Sequence, residues 1–197
     1  MTRAAGHPTA IIAYDTGVTV HRTARPNRPR SPRIRPREAA DLGDCVRVLA
    51  EVHRTDGYPV NWPAKPEPWL SAGVQLGTWV AELGERVVGH VGLSLAGEGD
   101  LAAALWSRQR GSTPDRTAVV GRLFVSPAAR GHRIGARLME QAIAEARRHG
   151  LHPVLDVVSS NTAATALYGR LGWERLGTVE QQWGTLPVTI HCYAAPS

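Results

Sequence analysis

The segment VSPAARGHRIGARLME, residues 125–140, decides the fold. It reads as the end of a strand, a tight loop and the first turns of a helix. Apolar residues recur at helical spacing from Ile134 to Ala146, which predicts an amphipathic helix that ends near His149. The start of a helix carries unpaired N–H groups and a positive dipole end. Further positive charge at that end lowers stability unless an anion binds there, so the segment predicts an anion site.

The loop before this helix has the composition of a phosphate site. Arg130 and Arg133 supply positive charge, and Gly131 and Gly135 leave room for a close approach of the anion. The glycine-rich P-loop pattern ending in Lys-Ser/Thr is absent from the sequence, and so is the G-x-G-x-x-G dinucleotide fingerprint. We therefore expect a phosphate-bearing ligand that is bound by a different type of loop.

The rest of the chain alternates between strand and helix patterns. A β-hairpin is predicted first, and two further strand–helix units surround the quoted segment. The segments 55–70 and 96–116 are expected to be irregular. Predicted strands lie near 33–37, 78–83, 87–95, 117–125, 153–158, 173–176 and 188–193, and predicted helices lie near 39–54, 134–149 and 161–171. The order predicts an α/β fold in which helices flank a central mixed β-sheet.

Length and composition fit one globular domain. The chain has 197 residues, of which 43% are hydrophobic, and no apolar run approaches the roughly 20 residues that span a bilayer. We find no signal-peptide pattern. The two cysteines, Cys45 and Cys192, form no C-x-x-C motif and are interpreted as reduced thiols, although their spacing leaves a bridge open. A cytoplasmic location is expected.

The formal net charge of +6 is concentrated near the N-terminus. Seven arginines lie within residues 21–37, and removing them from +6 leaves −1 for the rest of the chain. Residues 1–32 are rich in Arg and Pro and are interpreted as a flexible extension, followed by a domain over 33–195. Contact of this extension with nucleic acid or a membrane surface is the less favoured reading.

A second motif, NTAATALYGRLGW at residues 161–173, follows the anion loop after one predicted strand. Together the two motifs resemble the GNAT superfamily of acyl-CoA-dependent N-acetyltransferases. The resemblance covers residues 33–195 and is best over 117–177. It implies a GNAT-like sheet, acetyl-CoA as cosubstrate and a small-molecule or peptide amine as acceptor. Separately, the sequence has no H-E-x-x-H or clustered Cys/His pattern, so neither a metal nor a membrane partner is expected. The oligomeric state stays open, a homodimer included.

The resemblance also implies roles for individual residues. Tyr168 matches the general acid that protonates the departing CoA thiolate. The strand before the loop would bind the pantetheine arm through its backbone, and Asn161 would contact the same arm. Arg133 occupies a position where the family usually has glycine. The implied cofactor-binding residues are Leu123, Phe124, Val125, Arg130, Gly131, His132, Arg133, Ile134, Gly135, Ala136 and Asn161.

The sequence leaves the general base open. Some family members carry a glutamate on the strand before the loop, but TAVVGRLFV contains no acid. Candidates are Glu82, Asp56, His53 and a water relay, whereas His90 lies in an apolar strand and is expected to be a core histidine. The aromatic residues Tyr58, Trp62 and Trp69 either line an amine pocket or anchor their loop to the core.

The sequence alone leaves two other functions open. A catalytically degenerate module would hold acyl-CoA without turnover. A nucleic-acid-binding protein would act through the arginine-rich extension. The favoured prediction is an N-acetyltransferase that works by direct attack of the amine on the thioester.

Overall fold

A computed structural model describes residues 31–197 and contains five α-helices and seven strands over that range. The helices are α1 (Leu42–Asp56), α2 (Pro66–Leu70), α3 (Leu101–Arg110), α4 (Ile134–Arg148) and α5 (Thr162–Arg170). The strands are β1 (Arg33–Pro36), β2 (Gln75–Leu83), β3 (Arg86–Leu95), β4 (Thr117–Val125), β5 (His152–Val158), β6 (Glu174–Trp183) and β7 (Leu186–Ala194).

The strands form one mixed sheet in the order β1-β2-β3-β4-β5-β7-β6. Neighbouring strands are antiparallel except β4 and β5, which are parallel and are connected through α4. The predicted α/β fold with a mixed sheet flanked by helices is confirmed. The N-terminal extension was predicted for residues 1–32, nearly all of which lie outside the described residues.

Alternation along the strands divides the core between the two faces of the sheet. Trp79 and Leu155 pack with α4 and α5, on what we call the α4 face. Their neighbours point the other way, to the α1 face, where Val80 packs with α1 and α2 and Val154 packs with α3. The sheet is therefore covered on both faces along most of its length.

Three segments differ from the sequence prediction. Residues 96–116, expected to be irregular, contain α3, and the loop 57–70 contains the short helix α2. The last two strands are longer than predicted and form a hairpin. Alanines bury the inner side of α3 against β5 and β7, so tertiary packing rather than a strong apolar stripe stabilises this helix.

Arginines that the sequence analysis counted with the basic tail are part of the folded domain. Arg35 of β1 donates from Nη1 to Asp41 Oδ2 at 2.7 Å and from Nε to Glu82 Oε1 at 2.8 Å. Arg37 donates to Leu70 O at 3.1 Å and to Ser71 Oγ at 2.8 Å. These contacts attach the start of the domain to α1, α2 and β2.

Both cysteines are free and buried. Cys45 lies in the α1 core, and Cys192 lies on β7 beside β5. Across residues 31–197, no helix combines the length and apolarity that crossing a membrane requires.

Replacement of Arg35 by Met should lower the free energy of unfolding at pH 7 by about 1–3 kcal/mol, because two carboxylates lose a charged donor. Arg35 holds the pKa of Asp41 below its usual range. A depressed folded-state pKa stabilises the protein above the unfolded pKa of about 4, and this contribution is lost as the pH falls through the folded pKa. Urea unfolding of both proteins from pH 7 to pH 2.5 tests this. A difference that is independent of pH would contradict the assignment.

Candidate functional site

The central feature of the site is an opening in the sheet between β4 and β5. The two strands pair only at Thr117–Val119, opposite His152–Val154. Beyond Val119, β4 keeps β3 as its neighbour on one side and has no strand partner on the other among the described residues. Leu123, Phe124 and Val125 lie in this open part, so the backbone edge there is available to an extended ligand.

The loop before α4 presents a row of unpaired backbone donors. The N–H groups of residues 131–136 make no hydrogen bond to any described residue, and the first α4 bond runs from Arg137 N to Arg133 O at 3.1 Å. Such a row at the positive end of a 15-residue helix forms a cradle for an anion. This is the feature that the sequence predicted from residues 125–140.

Arg133 has a left-handed backbone conformation, with φ +57°. A glycine at this position would adopt that conformation without strain, whereas a residue with a Cβ does so at a cost of roughly 1–2 kcal/mol. The loop therefore keeps a glycine-like backbone even though the side chain differs. This conformation is compatible with a close approach of a ligand to the backbone at Arg133.

The two glycines of the loop have different roles. Gly131 has φ +85° and no atom near its absent Cβ, so the turn itself favours glycine. Gly135 is helical, and a Cβ there would lie 3.2 Å from Leu167 Cδ2. The small residue at 135 thus allows α5 to approach α4, in addition to leaving the cleft open.

The side chains of the loop are not all directed toward the cleft. Arg130 forms an ion pair with Asp56 of α1. His132 lies with Nδ1 3.1 Å from Arg130 O, which leaves its backbone N–H as the group on the donor row. Arg170, which the sequence analysis did not select, lies at the end of α5 and adds a positive charge to the cleft wall.

A cleft of about 570 Å³ lies between the loop, α5 and the end of α1. Ile134 and Ala136 of the α4 face and Val52 and Phe124 of the α1 face line it and are themselves largely buried. It is lined by residues of β4, of the loop and of α5, among them Leu123, Phe124, Val125, Arg130, Gly131, Arg133, Ile134, Gly135, Ala136, Asn161 and Arg170. Of the predicted cofactor-binding residues, His132 alone is not among the lining residues.

A second cavity, of about 490 Å³, adjoins the first and passes through the opening. Its lining comes from both faces of the sheet. Val120 and Val157 belong to the α4 face, and Trp69, Leu101 and Ile190 belong to the α1 face. Tyr58, Leu123, Asn161, Asp56 and Ala164 line both spaces. The two cavities therefore form one continuous path across the sheet.

Tyr168 lies where this path crosses the sheet. Its ring is packed against Trp173 and Tyr193, with centroids 5.9 and 5.8 Å away. Tyr168 lines the second cavity, and its hydroxyl makes no hydrogen bond to any residue of 31–197. Burial raises the pKa of this phenol above its usual value, so it stays protonated and can act as a donor.

Asn161 is the N-cap of α5. Its Oδ1 accepts a hydrogen bond from Ala164 N at 3.1 Å, which leaves the amide N–H groups of the side chain for another partner. Since Asn161 lines both cavities, these donors face the path between them.

The structure brings a carboxylate into the site that the sequence analysis did not consider. Asp156 of β5 lines the second cavity, and its Oδ1 accepts from Ala102 N at 2.9 Å, at the start of α3. The carboxylate has accessible surface because it faces the cavity, yet protein surrounds its other sides. This burial raises the pKa of Asp156, against the lowering effect of hydrogen bonds from Cys192 and Ala102.

The bases named from the sequence are less well placed. Glu82 is bound to Arg35 at the β1–β2 edge, outside both cavities. Asp56 lines both cavities but is paired with Arg130. His53 has Nδ1 2.8 Å from Pro59 O and does not line either space. Asp156 is thus the lining carboxylate without an ion-pair partner among the described residues.

His90 is a core residue, as expected. It is fully buried, its Nδ1 is 3.0 Å from Arg122 O, and Arg37 Nη1 is 3.1 Å from its Nε2. Because Arg37 can only donate, Nε2 accepts and the proton lies on Nδ1. Burial lowers the pKa of His90 to about 4, so this neutral form persists.

The aromatic residues of the α1–α2 segment separate into two groups. Tyr58 and Trp69 line the second cavity and also pack on the α1 core. Trp62 lies outside both cavities, 5.2 Å from the ring of His53. Among residues 31–197, no cluster of three or more His, Cys, Asp or Glu side chains offers a metal site.

Comparison with known proteins places this geometry in a family. The sequence profile of the acetyltransferase (GNAT) family matches residues 47–173. A search of curated proteins found no match.

Solved structures share the fold at low sequence identity. A ribosomal-protein-alanine N-acetyltransferase from Brucella melitensis superposes with a TM-score of 0.63 at 21% identity, covering 84% of this chain and 99% of that one. A GCN5-related N-acetyltransferase from Kribbella flavida superposes with a TM-score of 0.62 at 22% identity, covering 85% of this chain and 98% of that one. A putative acetyltransferase from Salmonella typhimurium, solved with acetyl-CoA, superposes with a TM-score of 0.58 at 19% identity, covering 83% of this chain and 92% of that one.

The conformation of Arg133 gives a testable prediction. Arg133→Gly and Arg133→Ala remove the same charge, but only glycine relieves the left-handed strain. We expect the glycine variant to be the more stable of the two by up to about 1 kcal/mol, which corresponds to roughly 2–4 °C in melting temperature. Thermal unfolding of both variants measures this. A more stable alanine variant would mean that the loop relaxes to another conformation.

Proposed function

The chain belongs to the acetyltransferase (GNAT) family, and we propose that it transfers the acetyl group of acetyl-CoA to an amine. The observation that carries this proposal is the continuous path through the sheet. It begins at the anion cradle of residues 131–136 and ends at Tyr168 and Asp156. A long, phosphate-bearing acyl carrier can lie along this path with its reactive end at the opening.

The residues on the α4 face fit the chemical groups of acetyl-CoA. The six N–H groups and the charges of Arg133 and Arg170 suit the pyrophosphate. The unpaired edge of β4 suits the amide groups of the pantetheine arm, and the free side-chain amide of Asn161 suits an acceptor on that arm. We assign the ammonium-bearing substrate to the second cavity, which opens on the α1 face.

We propose Asp156 as the general base. An ammonium must lose a proton before its nitrogen attacks the thioester that acetyl-CoA supplies. A carboxylate with a raised pKa takes that proton more readily than an ordinary aspartate does. Its hydrogen bond from Ala102 N fixes its orientation toward the cavity.

We propose Tyr168 as the general acid. The departing thiolate needs a proton, and the buried phenol holds one because its pKa is raised. Tyr168 lines the cavity, and its hydroxyl has no hydrogen-bond partner among the described residues.

The proposed function is tested by release of the CoA thiol from acetyl-CoA across small amines, aminoglycosides and peptide N-termini. We expect turnover with at least one class. Calorimetric binding of acetyl-CoA without turnover in any class would favour the degenerate binding module instead.

Asp156→Asn should reduce turnover by about 10²–10⁴ while the fold persists. An amide can still accept from Ala102 N, and it removes a charge that protein partly surrounds, so the melting temperature should stay equal or rise. In the wild type, kcat/KM should fall as the pH drops through the raised pKa of Asp156, and this acid limb should disappear in the variant. Asp44→Asn, on the exposed side of α1, is the matched control. An unchanged pH profile would exclude Asp156 as the base.

Tyr168→Phe should leave stability and acetyl-CoA affinity nearly unchanged, because no described partner loses a hydrogen bond and the ring contacts remain. The chemical step should slow by about 10²–10⁴. Rapid-mixing measurement of CoA release separates this step from product release. If the step proceeds at the wild-type rate in the Phe variant, another group protonates the thiolate.

A further inference from the structure

Arg122 is placed in the second cavity by an irregularity in β4. In the β3–β4 ladder, Gly92 lies opposite Gly121 and His90 lies opposite Phe124, so Val91 faces both Arg122 and Leu123. This is a β-bulge, a device that redirects a side chain. Strict alternation after Val120 would put Arg122 on the α4 face, but its guanidinium carbon lies 5.3 Å from the ring centroid of Trp69, on the α1 face.

The bulge holds Arg122 in an unfavourable conformation. Its φ is +53°, in the left-handed region where a side chain costs roughly 1–2 kcal/mol. Strain of this kind persists only where the surrounding structure imposes it, and it concentrates at functional sites. The strained backbone therefore marks Arg122 as a candidate functional residue of the cavity.

Among residues 31–197, no carboxylate forms an ion pair with the guanidinium of Arg122. The guanidinium also makes no hydrogen bond to any of these residues, and its Nε is buried without a partner among them. Asp100 interacts with it electrostatically, but Asp100 Oδ2 accepts from Gly97 N at 2.6 Å. Arg37 adds a second positive charge nearby. A partly buried cation in this state is destabilising unless an anion occupies the site.

The neighbours of Arg122 suit a small acidic group. Trp69 supplies an aromatic face beneath the guanidinium, which leaves the edge of its planar donor fork free. Tyr58 also lines the cavity and interacts with Arg122. Burial raises the pKa of Tyr58 to about 12, so its hydroxyl remains a donor. A carboxylate is the common partner of such a fork.

Resting on the proposed function, we propose that the acceptor is a small amine that also carries a carboxylate, as an amino acid does, and that Arg122 binds this carboxylate. Asp156 and Tyr168, the residues proposed to act on the amine and the thiolate, line the same cavity as Arg122. A space of about 490 Å³ accommodates a molecule of this size. The carboxylate of the acceptor would thus bind the positive Arg122, and its ammonium group would bind near the negative Asp156.

The test compares the common L-amino acids with their carboxamides, both in binding affinity and in rate of acetylation. Calorimetry in the presence of CoA measures binding, and CoA release from acetyl-CoA measures kcat/KM. For the preferred amino acid, we expect both the affinity and kcat/KM of the free acid to be about 10- to 100-fold higher than those of its carboxamide. A carboxamide makes the neighbouring amine less basic and more readily neutral, so this preference would oppose intrinsic reactivity.

Arg122→Gln should remove the preference by lowering the affinity and kcat/KM for the free amino acid while leaving those for the carboxamide unchanged. Arg122→Lys should restore part of the preference. Arg116→Gln, exposed just before β4, is the matched control and should keep the full preference. If the wild type binds and turns over amides, plain amines or peptide N-termini as well as amino acids, the inference is wrong and the proposed function stands. If turnover is absent throughout, the proposed function fails. Binding then still decides the inference, since equal affinity for acid and amide would overturn it.

Discussion

The structure depends on one constraint, which is that β4 and β5 pair over only three residues before they separate. Adjacent parallel strands normally satisfy each other's backbone groups, and their separation leaves the edge of β4 open. The bulge at Arg122 and Leu123 disturbs the ladder on the other side of the same strand. The anion cradle follows β4, and Asn161 follows β5. Each functional group described above is therefore positioned by the point at which these two strands part.

Much of this arrangement could be predicted from the sequence. The apolar stripe from Ile134 to Ala146 defined α4, and the glycines and arginines before it defined the loop, because a helix start has obligatory unpaired donors. The helix α3 was missed, although Asp100 and Gly111 flank it as cap residues. Its buried side consists of alanines and its stability comes from contacts with distant strands, which short-range patterns do not reveal.

Two residues of the site could not have been found in this way. Arg122 and Asp156 are single charged residues within otherwise apolar strands, where alternation assigns them to one face or the other. Their positions depend on the bulge and on the opening, and both are properties of strand pairing. Arg122 and Arg133 have left-handed backbones, and burial raises the pKa of Asp156 and lowers that of Arg122. Local preference is violated at these positions, as is typical of functional sites.

The path through the sheet also bears on the order of events. A closed sheet separates its two faces, so that molecules on opposite faces cannot meet. Here the two cavities share lining residues at the opening between β4 and β5, so molecules bound in them would be neighbours. Burial raises the pKa values of Cys45 and Cys192 to about 12. Because the thiolate is the nucleophile, these thiols are poorly suited to carry an acyl group from one substrate to the other. For the proposed transfer, two spaces that meet at the opening suit a ternary complex in which acetyl-CoA and the amine react directly, without an acylated form of the protein.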